Sequence, residues 1–177
     1  GIIFILTPVF GGISIQRHGT PEQKQEFLPR IVNGDLRFCM GLTEPNAGTN
    51  TLAIDTSARR DGDEFVIDGE KTFISSVENA DKMLLVARTS PFDPENPSHG
   101  GTLFLVSDPS SRDGISLSKL DTAVPWFEHQ YQVNIDGLRV HEDDILGAED
   151  QGFRLMFDTL NTERIAGAAS ALGDGLR

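Results

Sequence analysis

Between about residues 37 and 140 the chain is cut into short β-prone segments by turn dipeptides, and this punctuation constrains its fold more than anything else in it. Ala53 to Arg59 leads through Asp61-Gly62 into Glu64-Phe65-Val66-Ile67. Asp68-Gly69 then reads as a turn into Lys71-Thr72-Phe73-Ile74. Met83 to Ala87, Leu103 to Val106 and Ile115 to Leu117 follow. Last come Tyr131 to Ile135 and, past Asp136-Gly137, Leu138 to Val140. Seven or eight short strands at this spacing predict an antiparallel β-barrel or sandwich. The longest connection, Ser90 to Gly101, holds three prolines and no hydrophobic period, which places it on the surface.

The flanks read differently. Thr20-Pro21-Glu22-Gln23 has the form of a helix start: a Thr cap, Pro at the first helical position and Gln three residues past the cap. That helix turns Phe27 and Leu28 inward, meets Pro29 and ends by Asn33-Gly34. From Gly152 to Gly173, Phe153, Met156, Phe157, Leu160, Ala168 and Leu172 recur at helical intervals. The class is therefore α+β with several domains. Residues 1–34 end one helical domain, 35–146 form the β-barrel, and 147–177 begin a second helical domain. A start at Gly1 rather than Met, and an end at Leu176-Arg177 within a helical stretch, predict a piece of a longer polypeptide.

Composition excludes several classes of function. A net charge of −12 argues against nucleic acid or an anionic membrane as partner, since such surfaces recruit Lys/Arg stripes. One cysteine, Cys39, rules out an internal disulfide framework and suits a reducing compartment, cytoplasmic or the mitochondrial matrix. The apolar run Ile2 to Leu6 is too short to span a bilayer. Histidines 18, 99, 129 and 141 have no paired spacing, so no metal site is expected. Glu142-Asp143-Asp144 with Glu149-Asp150 lacks the alternating oxygen ligands of a calcium loop and reads as a solvated connection. No glycine-rich phosphate loop of the Rossmann or P-loop kind follows a strand.

One segment stands apart: Met40-Gly41-Leu42-Thr43-Glu44-Pro45-Asn46-Ala47-Gly48-Thr49-Asn50. It leaves a strand and breaks into a tight loop that offers backbone N–H groups and hydroxyls to a polar heteroaromatic edge. On composition alone an ordinary interstrand loop is the first reading. However, Leu42-Thr43-Glu44-Pro45-Asn46-Ala47-Gly48-Thr49 resembles the Thr-Glu-Pro signature of the acyl-CoA dehydrogenases. Asp68-Gly69-Glu70-Lys71-Thr72-Phe73-Ile74-Ser75 is similar to that family's Gly-x-Lys-x-Trp-Ile-Thr/Ser strand. Leu160-Asn161-Thr162-Glu163-Arg164-Ile165 resembles the opening of its C-terminal helical domain, and Gly19 to Lys24 with Leu28-Pro29 the helix before its middle domain. The motifs stand in order along the whole chain.

The resemblance implies a β-barrel middle domain between helical bundles, FAD as cofactor, and α,β-desaturation of an acyl-CoA substrate. By it Met40, Leu42, Thr43 and Thr49 line the flavin on one side. Phe73, Ile74 and Ser75 cover another face, with Phe73 in place of the commoner Trp. Thr49, Asn161 and Arg164 fall where the family meets its CoA-linked substrate. Glu163 is a candidate catalytic base, the family's other position for it lying beyond Arg177. Much of the FAD adenosine contact would come from helices outside this chain, so the piece alone is expected to be inactive. An electron-acceptor flavoprotein and a homo-oligomer, dimer or tetramer, are implied partners of the full-length protein. Acyl-CoA oxidases and flavin monooxygenase relatives share a similar middle domain, and a non-catalytic β-barrel binding module is the reading from another class.

Overall fold

The computed structural model describes residues 5–123 and 129–176. Ile2 to Phe4 of the apolar run lie outside the described residues. A π-helical segment, Ile5–Ile13, runs into helix α1 (Ser14–His18), and α2 (Pro21–Asn33) follows. Local chemistry sets the bounds of α2. Thr20 accepts from the Gln23 N–H while the Gln23 side chain accepts from the Thr20 N–H, and Pro21 opens the first turn. Gly34, at φ +80°, closes the other end.

Seven strands make one curled, mixed sheet: β1 (Phe38–Gly41), β2 (Ser57–Asp61), β3 (Glu64–Ser75), β4 (Lys82–Arg88), β5 (Gly101–Ser107), β6 (Ile115–Leu120) and β7 (Gln130–His141). Most pairings are antiparallel, but β1 runs parallel to β4, and β2 meets the end of β4 in parallel at Ser57 and Arg88. β4 is buried on both sides, as its unbroken apolar run requires. Met83, Leu85 and Ala87 face an inner core with Phe65, Ile67, Phe104, Val133 and Leu138. Leu84 and Val86 face an outer core with Phe38 and Leu103 of the neighbouring strands and Ile15, Phe27, Phe153 and Met156 of the helices. Each fully buried Phe contributes about 1.5–3 kcal/mol.

Two expected turns are not turns. Asp68-Gly69 lies inside the continuous strand β3, and Asp136-Gly137 inside β7. The pair Ile67 and Leu138 is followed by Gly69 and Ile135, so β7 carries one extra residue there. Gly137 takes φ +65° and donates its N–H to Asp68 Oδ1 at 2.7 Å. An Asp-Gly step supplies the positive φ that a bulge needs as readily as the one a hairpin needs. Asp61-Gly62 does make a hairpin, between β2 and β3.

The last helix, α3 (Gly152–Gly175), seats its first turns on β5. Added to Gly101, a Cβ would stand 2.5 Å from the Phe153 ring, so the helix and strand approach closely only because that position is bare. Phe153, Met156 and Thr159 are buried, and Ser14 and Thr159 share a hydroxyl hydrogen bond at 2.8 Å. Ala168 and Leu172, on the apolar stripe by periodicity, are exposed instead, Leu172 by 66%. Among the described residues no helix is long and apolar enough to cross a membrane.

Candidate flavin-facing site

β1 delivers the chain into a tight turn in which Glu44 and Ala47 exchange backbone hydrogen bonds, at 3.2 and 3.1 Å. The Glu44 carboxylate turns inward, only 6% exposed. It accepts from the Asp55 N–H at 2.6 Å, the Thr56 N–H at 3.0 Å, the Thr56 hydroxyl, and the Lys71 ammonium at 2.7 Å. Lys71 is fully buried, and its Nζ also donates to the Leu42 carbonyl at 3.2 Å. Burial pushes Lys71 down to about 8, with the Glu44 charge acting the other way. Burial also opposes the charge on Glu44, but the Lys71 charge and the hydrogen bonds from Lys71, Thr56 and Asp55 outweigh it. The carboxyl sits below its usual range. A buried charge needs such a partner. The pair thus rivets the Thr-Glu-Pro turn to β3, and the Thr72 N–H adds a bond to the Thr43 carbonyl at 2.8 Å.

The next residue is where β3 departs from regularity. Lys71 pairs with Val133 but Ile74 with Tyr131, so β3 carries an extra residue at Thr72-Phe73. Phe73 takes φ +56° and is 62% exposed. A large aromatic at positive φ, turned to solvent, is costly in two ways, and such outliers cluster at ligand sites. The bulge re-aims the side chain outward. Ile74 is 2% exposed, its side chain in the inner core, so of the Phe73–Ser75 trio only Phe73 and Ser75 present side chains on the outer face. Ser75 is half-buried and accepts from Gln130 Nε2 at 2.7 Å.

The other residues singled out by the sequence divide by place. Met40 and Thr43 are half-buried, and Thr49 is exposed. Leu42 is buried in the outer core. Asn161, Glu163 and Arg164 lie together on α3, away from the bulge in sequence. Arg164 donates to Asn161 Oδ1 at 3.1 Å, and among the described residues neither Arg164 nor Glu163 forms an ion pair. Glu163 is half-buried, and among the described residues it has no hydrogen bond to the loop or the bulge. No group of His, Cys, Asp or Glu that could hold a metal occurs among the described residues. Of the acidic run, Glu142 and Glu149 both pair with Arg60.

Sequence reasoning missed Glu44 and Lys71 as a pair, Gln130, and Arg88. The Arg88 guanidinium lies between the Phe92 and Phe153 rings, at 5.0 and 5.1 Å, and donates to the carbonyls of Leu52, Ile54 and His99. It ties the segment after the Thr-Glu-Pro turn to the long Ser90–Gly101 connection. A signal for Lys71 existed: it falls four residues after Ile67, on the inward parity of its strand.

The chain is similar to known proteins in sequence and in fold. The family model "Acyl-CoA dehydrogenase, middle domain" matches residues 39–132. FadE12 of Mycobacterium tuberculosis, an acyl-CoA dehydrogenase, is 37% identical over 174 residues, 98% of this chain and 44% of its own length. FadE26 of the same organism, also an acyl-CoA dehydrogenase, is 38% identical over 154 residues, 86% of this chain and 38% of its own. The structure of butyryl-CoA dehydrogenase from Megasphaera elsdenii superposes with a TM-score of 0.88 at 31% identity, over 97% of this chain and 44% of that one. The chain spans less than half the length of the curated relatives it matches. With its fold, its two riveted motifs and the matched middle domain in agreement, the chain belongs to the acyl-CoA dehydrogenase family.

Proposed function

We propose that the full-length protein is an FAD-dependent acyl-CoA dehydrogenase and that this chain supplies the ring-facing side of its flavin site. The observation that carries the reading is the bulge. An exposed aromatic held at positive φ stands two residues from a hydroxyl, on a strand riveted to the Thr-Glu-Pro turn by a buried ion pair. These residues fit a flavin: a flat apolar surface from Phe73, a hydrogen-bond donor from Ser75, and backbone and hydroxyl groups from Thr43 and Thr49. Bound FAD supplies the hydride acceptor for the β-carbon of the substrate.

The chain's own residues then divide the work. Phe73 stacks and retains, giving area but no indole N–H. Ser75 offers its proton to a ring heteroatom, and Met40 and Thr43 close the opposite edge. Thr49, Asn161 and Arg164 hold the CoA-linked substrate. Glu163 takes the α-proton of the acyl thioester, or leaves that task to a carboxylate beyond Arg177. In this reading residues 1–34 end a helical domain, 35–146 form the flavin-binding middle domain, and 147–177 open the C-terminal helices. The electron acceptor of the reduced enzyme is a second flavoprotein, and the full-length protein works as a homo-oligomer.

The test is anaerobic mixing of the full-length, FAD-loaded protein with a panel of acyl-CoA thioesters while the flavin absorbance is followed. Bleaching with at least one thioester, and turnover with an artificial dye, is the expected result. Failure to retain FAD, or no bleaching with any thioester, overturns the proposal. Rapid peroxide release in air would assign an oxidase instead.

A further inference from the structure

We propose that Gln130 is a positioning residue for Ser75: its amide N–H occupies a lone pair of the Ser75 oxygen and so leaves the hydroxyl's single proton for the flavin ring. The inference rests on the reading above that Ser75 faces the ring. Ser75 and Gln130 are the terminal registered pair of β3 and β7, opposite one another on the same face of the sheet. Ile74 fills the core, so this face is the outer one, shared with the exposed Phe73 ring. Just beyond, the Ser76 N–H donates to the His129 carbonyl at 3.1 Å, which holds the two strand ends together.

A serine hydroxyl has one proton to give and two lone pairs to receive. The bond from Gln130 Nε2 to Ser75 Oγ, at 2.7 Å, uses a lone pair. Among the described residues Ser75 Oγ donates to no protein acceptor, so its proton is not committed elsewhere. Without Gln130 the hydroxyl becomes a rotor with three staggered positions, of which about one in three aims the proton usefully. Gln130 selects among them without touching the ring.

Gln130→Met in the full-length, FAD-loaded protein keeps the side-chain length and removes the donor. The expected result is flavin reduction by acyl-CoA about three- to tenfold slower, with a lower midpoint potential of the bound flavin and unchanged FAD content. Gln130→Glu, which near neutral pH only accepts, should draw the Ser75 proton toward itself and be slower still. This variant also serves if Gln130→Met fails to fold. The deciding measurement is a cycle with Ser75→Ala: once the hydroxyl is gone, replacing Gln130 should move neither rate nor potential further. An equal effect in both backgrounds overturns the proposal, because Gln130 would then act on the fold at large. A normal Gln130→Met beside a slow Ser75→Ala overturns it while leaving the Ser75 reading intact. A Ser75→Ala protein with unchanged rate and potential removes that reading, and this inference with it.

Discussion

Lys71→Met should be the most damaging single substitution near the site, although Lys71 touches no ligand surface. The change leaves the Glu44 carboxylate buried with no counter-ion, and the Leu42 carbonyl without its donor. Breaking a buried pair by removing one partner costs about 3–5 kcal/mol. Here the Asp55 and Thr56 N–H groups and the Thr56 hydroxyl still donate to Glu44, which argues for the lower end, about 3 kcal/mol. Glu44→Gln should cost less. Its orphan is an amine already pushed down to about 8, and removing Glu44 lowers it further, so Lys71 sheds its proton near neutral pH. The double variant, neutral on both sides, should recover part of the Lys71→Met loss.

These values are read by urea unfolding of the full-length protein followed by circular dichroism, with FAD retention in parallel. The pH dependence carries a sign. The Glu44 carboxyl lies below its ordinary 4.5 in the folded protein, so its share of stability is fully present above 4.5 and is lost as pH falls through the folded value. The wild type should therefore lose its advantage over Glu44→Gln in acid, and the two curves should converge. Lys71 titrates lower when folded than its ordinary 10.5, so above about pH 8 the folded chain sheds that proton first. Lys71 alone then gives no loss of stability on the alkaline side. A Lys71→Met protein within about 0.5 kcal/mol of wild type, or parallel acid limbs for wild type and Glu44→Gln, would refute the claim that this pair rivets the turn to β3.

Phe73→Gly relieves a side chain at φ +56°, so the protein should be more stable by about 1 kcal/mol in the same assay while losing FAD on gel filtration. A destabilised variant that keeps its FAD would show that the ring serves the fold. Gly101→Ala puts a methyl 2.5 Å from the Phe153 ring and should cost about 1–3 kcal/mol by thermal unfolding; an unchanged melting temperature would mean that α3 does not seat on β5 as described. Glu163→Gln should slow anaerobic flavin reduction by about 10²–10⁴-fold with FAD still bound, and a near-normal rate sends the base beyond Arg177.

What the sequence disclosed, and what it hid, follows the range of the interactions involved. Helix α2 was readable to its caps because Thr20, Pro21, Gln23 and Gly34 settle its ends within a few residues of themselves. Sequence alone divides each of the long strands β3 and β7 in two, because Asp-Gly carries the same local conformation in a bulge and in a turn. Only the pairing partner, some seventy residues away, decides between them. The site shows the same division. The Thr-Glu-Pro and Lys-Thr-Phe-Ile-Ser runs stand out by resemblance, yet the link between them spans 27 residues and the Ser75–Gln130 link 55, with nothing local to announce either. Inward parity could still have flagged Lys71, since a lysine on a core-facing position requires a buried carboxylate. Among the acidic residues near the motif strand, Glu44 sits in a turn whose neighbours Leu42 and Ala47 are themselves core residues. Phe73 admits no such rescue. Its parity and its type both favour a strand face, and the ring is exposed only because one extra residue at Thr72-Phe73 is absorbed against Val133 and Tyr131. The exposure of this ring therefore rests on an irregularity of pairing, which propensity and period cannot express.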